Sequence, residues 1–433
     1  MDGYFSTERH DRLRLEVRTF AEAEVRPRVP EMEEDRGVAY ELSRLIARQG
    51  WIGATIGAEY GGMDAGHVAK TIIIEELSRV SGAMGAMVQA SQLGTAKILH
   101  FGTEAQKKQW LPAIAAGDCL PTIAVTEKTS GSHVLGMSTT ARRDGDHYVL
   151  NGRKAYVGNS HVGDLHGVVA RTGERGGRSL SAFLVEADRP GFALAPHRPA
   201  VGLPGFSFGE LIFSDCRVPV DNLLGAEGDG LDVAYSSSIL VGRPNLTAVS
   251  LGIHEALVAE TVRFASWQRR YGKPVAELPT VRDQLGRMQS QLMTARLAAY
   301  HAAYLLDQGV ACDAELQNAK LINAEYALDS ARLAVEIHGA HGLFPEDSPI
   351  ARYQRDAFHI LPPAGTSAVQ RLRLAEYALG AVKGAPWSTR FASPEAPDTP
   401  DSPAGPAEPA ELVPLAERIA APRSAAFLEA EAV

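Results

Sequence analysis

Apolar positions near the start of the chain recur every three or four residues. Leu13, Val17, Phe20 and Ala21 share one face of a helix predicted over residues 6–26, which Pro27 and Pro30 end. ELSRLIARQGW is a second short helix, EYGGMDAG a loop, residues 66–101 long apolar helices, and TEAQKKQWLPAIAAG another short one. The spacing then changes to strand-like alternation. TIAVT alternates, and HYVL and RKAYV flank Asn151-Gly152, a type I′ hairpin signal. DLHGVVART, SLSAFLVEA, GFALAPH and GELIFSDCRVP continue as short strands between Gly, Pro and Asp turns. From about residue 230 helical spacing returns in four segments: 230–271, 279–308, 313–340 and 366–380. In the last, Val369, Leu372, Ala375 and Leu379 recur, with Thr366 or Ser367 as N-cap and Gly380 as stop.

These patterns predict an α+β chain: an N-terminal helical domain (1–119), a central β domain (120–229) read as a barrel or sandwich, and a C-terminal four-helix bundle (230–385). The Pro/Ala/Glu-rich residues 386–433 are expected to form a disordered tail. TARLAAYHAAYLL is rich in Ala and Leu on more than one face, so the bundle is expected to need a second copy, as a homotetramer or dimer.

Composition narrows the classes. With 433 residues the chain is too long for one simple core. Its net charge of −9 argues against nucleic acid as a partner. Cys119, Cys216 and Cys312 include no CxxC pair, so neither a zinc site nor a disulfide framework is expected. The charged N-terminus and the lack of a long apolar run point to a cytoplasmic protein with no membrane span.

Several stretches, in order, carry a resemblance. They are EYGG, IIIEELSRVS, HFGTEAQKKQWLPAIAAGD, VTEKTSGSH, NGRKAYVGN, RRYGKPV, HGAHGLFPEDSPIARYQRDA and AGTSAVQR. Together they resemble the acyl-CoA dehydrogenase superfamily over roughly residues 5–385. The resemblance implies a helical domain, a β-barrel and a four-helix bundle, with FAD between the last two and an acyl thioester, on coenzyme A or a carrier protein, over the flavin. A carboxylate removes the α-proton while hydride passes to the flavin. Electrons then pass to a flavoprotein or to oxygen.

The resemblance also shows what is missing. The family's last loop reads EGTS, and its Glu is the base; here Ala364 stands in that place before Gly365, Thr366 and Ser367. A minority of the family carries the base just before an Arg, and there Gly242 precedes Arg243. A positioned base contributes roughly 10²–10⁴-fold. His133, in place of the Asp of GSD, is the first candidate substitute, with His338, His341 and His359 behind it. Asp356 is read as an ion-pair partner of Arg352 or Arg355, and Arg243 as structural.

The flavin contacts implied are Thr126, Ser132, Tyr156 for a Trp, Gly158 for a Thr, and Thr366. For the distal part they are Arg269 and Arg270 beside Gln268, Glu336 for a Gln, and Gly339 of a broken GG pair. Three functions remain open: an acyl-thioester oxidoreductase with an atypical base, a flavin monooxygenase or oxidase, and a non-catalytic subunit of a mixed oligomer.

Overall fold

The computed structural model describes residues 5–174, 176 and 178–391. The tail expectation falls mostly outside these residues. Six helices come first: α1 (Glu8–Phe20), α2 (Val29–Glu34), α3 (Arg36–Ala47), α4 (Gly66–Val80), α5 (Gly82–Phe101) and α6 (Glu104–Ala115). Eight strands follow: β1 (Pro121–Ala124), β2 (Thr140–Asp144), β3 (His147–Gly158), β4 (Leu165–Arg171), β5 (Leu180–Glu186), β6 (Phe192–Leu194), β7 (Phe208–Pro219) and β8 (Leu223–Leu224). Then come α7 (Gly230–Ser236), a π-turn over Ser237–Gly242, α8 (Arg243–Trp267), a small hairpin of β9 (Arg269–Arg270) and β10 (Lys273–Pro274), α9 (Pro279–Asp307), α10 (Asp313–His338), α11 (Ile350–His359) and α12 (Ser367–Ala378).

The strands pair as one mixed sheet in the order β6-β7-β3-β2-β4-β5-β8, with β1 parallel to β4. The sheet curls around Tyr148, Leu150, Val157, Phe183, Leu211 and Phe213. The other face of β4 and β5, with Leu165, Val169, Ala182 and Leu184, packs into the helical core. Burial on both faces accounts for the apolar runs GVVA in β4 and AFLV in β5.

Two expectations need correction. Asn151-Gly152 is not a hairpin turn; His147–Gly158 is one strand, and the turn lies earlier, at Asp144–His147. The ladder with β7 shifts register between Leu150 and Gly152. Gly152 has φ 141°, and a Cβ there would sit 2.7 Å from Thr139 Cα. The glycine therefore serves a bulge and a close backbone approach. Second, the ARYQRDA stretch forms a further bundle helix, α11, with Ile350, Tyr353 and Ala357 buried.

Helix α4 lies between α1, α8 and α9, buried almost all round. Its Glu75 and Glu76 are buried completely. Arg14 and Arg18 of α1 reach them, Arg14 to Glu75 at 3.0 Å and Arg18 to Glu76 at 2.8 Å. From α9, Arg296 meets Glu75 at 3.0 Å, and Tyr300 donates to the same carboxylate. Burial alone would raise the Glu75 carboxyl, but Arg14 and Arg296 outweigh it and hold it below the ordinary carboxylate range. Glu75→Ala would take one carboxylate from Arg14 and Arg296, leaving them with Glu76 and Glu255, and would leave the buried Tyr300 hydroxyl without its acceptor. It should cost about 3–5 kcal/mol, read as a lowered denaturant midpoint; a loss under about 1 kcal/mol would show the cluster to be solvated.

Candidate functional site

The loop before α12 is held from below by one ammonium. Lys320 of α10 donates to Leu361 O at 2.7 Å and Gly365 O at 3.1 Å. Gln370, fully buried, donates to Ala364 O at 3.0 Å. Thr366 caps α12 by accepting from Val369 N, as the sequence suggested. Ala364 has φ 54°, an unusual backbone state for a residue with a side chain.

Gly242, at the end of the π-turn, faces this loop. A Cβ built on Gly242 would lie 3.3 Å from Ala364 Cβ and 3.5 Å from Leu93 Cδ1 of α5. The two places where the resemblance puts a base are thus side by side, and neither carries an ionisable group. The adjacent Arg243 is buried, and its Nε and Nη1 have no hydrogen-bond partner among the described residues. Burial pulls its pKa down to about 10 against the opposing charge of Asp313.

An aromatic shelf stands on the sheet side. The β3–β7 ladder shifts again between Lys154 and Val157, and Tyr156, at φ 55°, projects from the strand about half exposed. Its ring lies 5.9 Å from Phe208, which lies 6.0 Å from Phe206 and 5.3 Å from His359 of α11. Asp356 accepts from Leu203 N at 2.6 Å and so fixes the loop that delivers both phenylalanines. This corrects its reading as an ion-pair partner: Arg352 and Arg355 turn to Glu33 instead, and burial raises the Asp356 carboxyl to about 6 against the pull of Arg352.

The shelf also explains Gly158. A Cβ there would meet Phe206 Cζ at 2.9 Å and Ala90 Cβ at 3.1 Å, so Phe206 occupies the room that a larger residue would need. A projecting tyrosine backed by phenylalanine rings is a surface on which a planar heteroaromatic ring can stack. The residues present fit a flavin.

A buried ion pair positions the neighbouring loop. Lys154 donates to Val125 O at 2.9 Å and to Glu127 at 3.0 Å. Glu127 also accepts from Ser138 N, Ser138 Oγ and Thr139 N. This clamp fixes Thr126, half-buried, whose carbonyl accepts from Ala155 N beneath the tyrosine. Ser132 and His133 are exposed further along the loop, and His133 O accepts from Ser130 Oγ at 2.6 Å. No contact brings the His133 ring to Ala364. Neither Glu127 nor Lys154 was singled out from sequence, although Lys154 falls between Leu150 and Val157 in a strand with a buried face.

The remaining predicted residues lie elsewhere on the chain. Arg269 and Arg270 are exposed in the β9–β10 hairpin. Glu336, which pairs with Arg332, and Gly339, at φ 59°, lie at the end of α10. His338 stacks on Phe264 at 4.1 Å, and His341 faces Asp347 at 3.7 Å; neither joins the shelf. From Lys320 to His338 the helix rises about 27 Å, so one chain does not bring this group to the Ala364 loop.

The shelf, the clamped loop and the bundle define a flavoprotein oxidoreductase. Family models for the acyl-CoA dehydrogenase N-terminal, middle and C-terminal domains match residues 7–118, 122–216 and 228–379. An acyl-CoA dehydrogenase of Bacillus subtilis is 36% identical over 85% of this chain and 97% of its own. A 3-(aryl)acrylate reductase of Clostridium sporogenes is 33% identical over 86% and 98%. The solved structure of a glutaryl-coenzyme A dehydrogenase with glutaryl-CoA superposes with a TM-score of 0.84 at 31% identity, covering 88% of this chain and 98% of that one. The chain belongs to the acyl-CoA dehydrogenase family. It is an acyl-CoA dehydrogenase-like oxidoreductase of acyl thioesters, and FAD is its cofactor. Among the described residues no helix is long and apolar enough to cross a membrane.

The clamp gives a pH signature. Burial would raise Glu127, but the Thr139 bond, the Lys154 charge and the Ser138 and Thr139 N–H groups hold it at about 2. A carboxyl lowered on folding contributes stability above its unfolded pKa, and this is lost as pH falls from about 4.5 toward 2. Flavin release should steepen in that window. Glu127→Gln should lower the flavin-to-protein absorbance ratio already at neutral pH; an unchanged ratio would remove the clamp from the cofactor site.

Proposed function

We propose that this protein oxidises or reduces an acyl thioester, on coenzyme A or a carrier protein, without a carboxylate base on its final loop. The observation that supports the thioester is the likeness of TEKTSGSH and FGTEAQKKQW to dehydrogenases of the family; the pairing of Ala364 with Gly242, which leaves both base positions empty, makes the base atypical. Thr126, Ser132, Tyr156, Gly158 and Thr366 would meet the flavin end of FAD. Arg269 and Arg270 of the β9–β10 hairpin, with Glu336 and Gly339 at the far end of α10, would serve the pyrophosphate end in a second copy, so the working unit is a homo-oligomer. A flavoprotein or oxygen takes the electrons. His359 is the candidate histidine whose ring meets the shelf, 5.3 Å from Phe208. Burial lowers its pKa despite a bond toward Gly202, leaving the neutral imidazole that accepts a proton.

Anaerobic flavin reduction by a panel of acyl-CoAs tests this reading. Ala364→Glu should accelerate reduction roughly 10–100-fold, less than the full worth of a base because the prolines before it restrict how the new side chain points. His359→Ala should slow the wild-type reaction at least tenfold, and His133→Ala should not. Fast reduction indifferent to every one of these changes would overturn the account of the base. The empty base positions also favour a second reading, an oxygen-activating flavoprotein that takes no α-proton. It predicts no reduction by any thioester, and oxygen consumption once the flavin is reduced chemically.

A further inference from the structure

Past residue 379, where the matched C-terminal domain ends, the chain runs back across the start of α10. Trp387 and Phe391 pack on an apolar cluster that joins Ile239, Leu240 and Val241 of the π-turn to Leu316 of α10. The ring of Phe391 stacks on His100 of α5 at 4.2 Å. Arg390 meets Asp232 of α7 at 2.9 Å and lies over the Trp387 ring at 4.6 Å. Ser388 is buried, and its Oγ accepts from Cys312 N at 2.8 Å. Residues 387–391 therefore form a strap across α5, α7, the π-turn and α10.

The polar anchor of the strap is Asp313, the buried first residue of α10. One carboxylate oxygen accepts from Trp387 N and the other from Ser388 N, both at 2.8 Å. The same carboxylate bears on Arg243. After burial, which lowers the Arg243 pKa, Asp313 acts on it most and raises it; Arg373 lowers it and Tyr377 raises it. Yet Arg243 Nε and Nη1 stay without a hydrogen-bond partner among the described residues. Arg243 bears in turn on Lys320, whose ammonium holds the Ala364 loop: burial and the Arg243 charge pull Lys320 down to about 8 against Glu325. One cation thus follows Gly242, another holds the loop that faces it, and the Asp313 carboxylate is turned to the strap.

We propose that Asp313 is a positioning residue worked by the strap: with both oxygens on Trp387 and Ser388, it leaves the charges of Arg243 and Lys320 free to act on an enolate formed between Gly242 and Ala364. With the strap unseated, the Asp313 side chain would turn to Arg243 and neutralise it. In a site without a carboxylate base, the two cations ease loss of the α-proton by stabilising the carbanion it leaves, while the proton goes elsewhere.

The inference rests on the acyl-thioester reading, and the test separates the two. A β-ketoacyl-CoA, whose α-proton is acidic, is bound to the oxidised holoenzyme. Its ionisation, with the α-proton passing to solvent, is followed against pH by the absorbance of the enolate, with no turnover required. Ser388→Pro takes one N–H from Asp313 and the hydroxyl from Cys312, and restricts Trp387. It should move the ionisation to higher pH, with roughly tenfold less enolate at a fixed pH below the midpoint. Ser388→Ala, which keeps the N–H, should move it less. Trp387→Ala repeats the test should Ser388→Pro lose its flavin, and should shift the ionisation in the same direction. In an Asp313→Asn background neither strap variant should shift it, because no charge is left to turn. An unchanged ionisation in the strap variants, or an equal shift with Asn at 313, overturns the proposal and leaves the thioester reading standing. Failure of the wild type to bind the β-ketoacyl-CoA or any other acyl-CoA overturns both.

Discussion

The buried carboxylates of α4 are the constraint on which the rest depends. Glu75 and Glu76 cannot be left alone in a dry interior, so two arginines of α1 and an arginine and a tyrosine of α9 must converge on them. That convergence joins the start of the chain to the bundle through a helix that has almost no free face. Close approach makes it possible: Gly252 of α8 lies against the Glu75 carbonyl, where a Cβ would stand only 2.3 Å away. The same slab of α4, α5 and α8 carries Leu93 and is joined at the start of α8 to Gly242, and so sets the reacting position. Hydrophobic burial holds the slab together without direction; the ion pairs fix its register.

Much of the fold was legible because helical and alternating periods are long and consistent here. The domain order, four helical segments of the bundle and the cap at Thr366 could be read from spacing alone. Asn151-Gly152 misled because the same dipeptide suits a tight turn and a bulge, and only the approach of Thr139 decides between them. The ARYQRDA stretch was read as a motif and its helix missed; Ile350, Tyr353 and Ala357 are too few to declare a period over ten residues.

The site was half legible. The empty base positions could be seen from sequence, but their adjacency could not, since Gly242 and Ala364 are far apart in the chain. Lys320 shows why polar hubs are hard to find. It sits among Leu316, Ala319 and Ala324, and nothing local says that its ammonium will meet two carbonyls of a distant loop. Gln317, Lys320 and Asn323, three apart on a buried face, were the available signal. Gly158 shows the converse. Seen in sequence it is a lost contact, whereas in the structure it is the complement of Phe206.

That complement has a historical side. A larger residue at position 158 cannot be accommodated while Phe206 stands 2.9 Å away, and trimming Phe206 first opens a void worth roughly 3–5 kcal/mol. Each single step away from the pair is thus worse than the pair itself. A chain that carries Gly158 and Phe206 together is held there even if selection on its chemistry relaxes. Descendants of this protein should vary at exposed Tyr156 well before they vary at the glycine behind it.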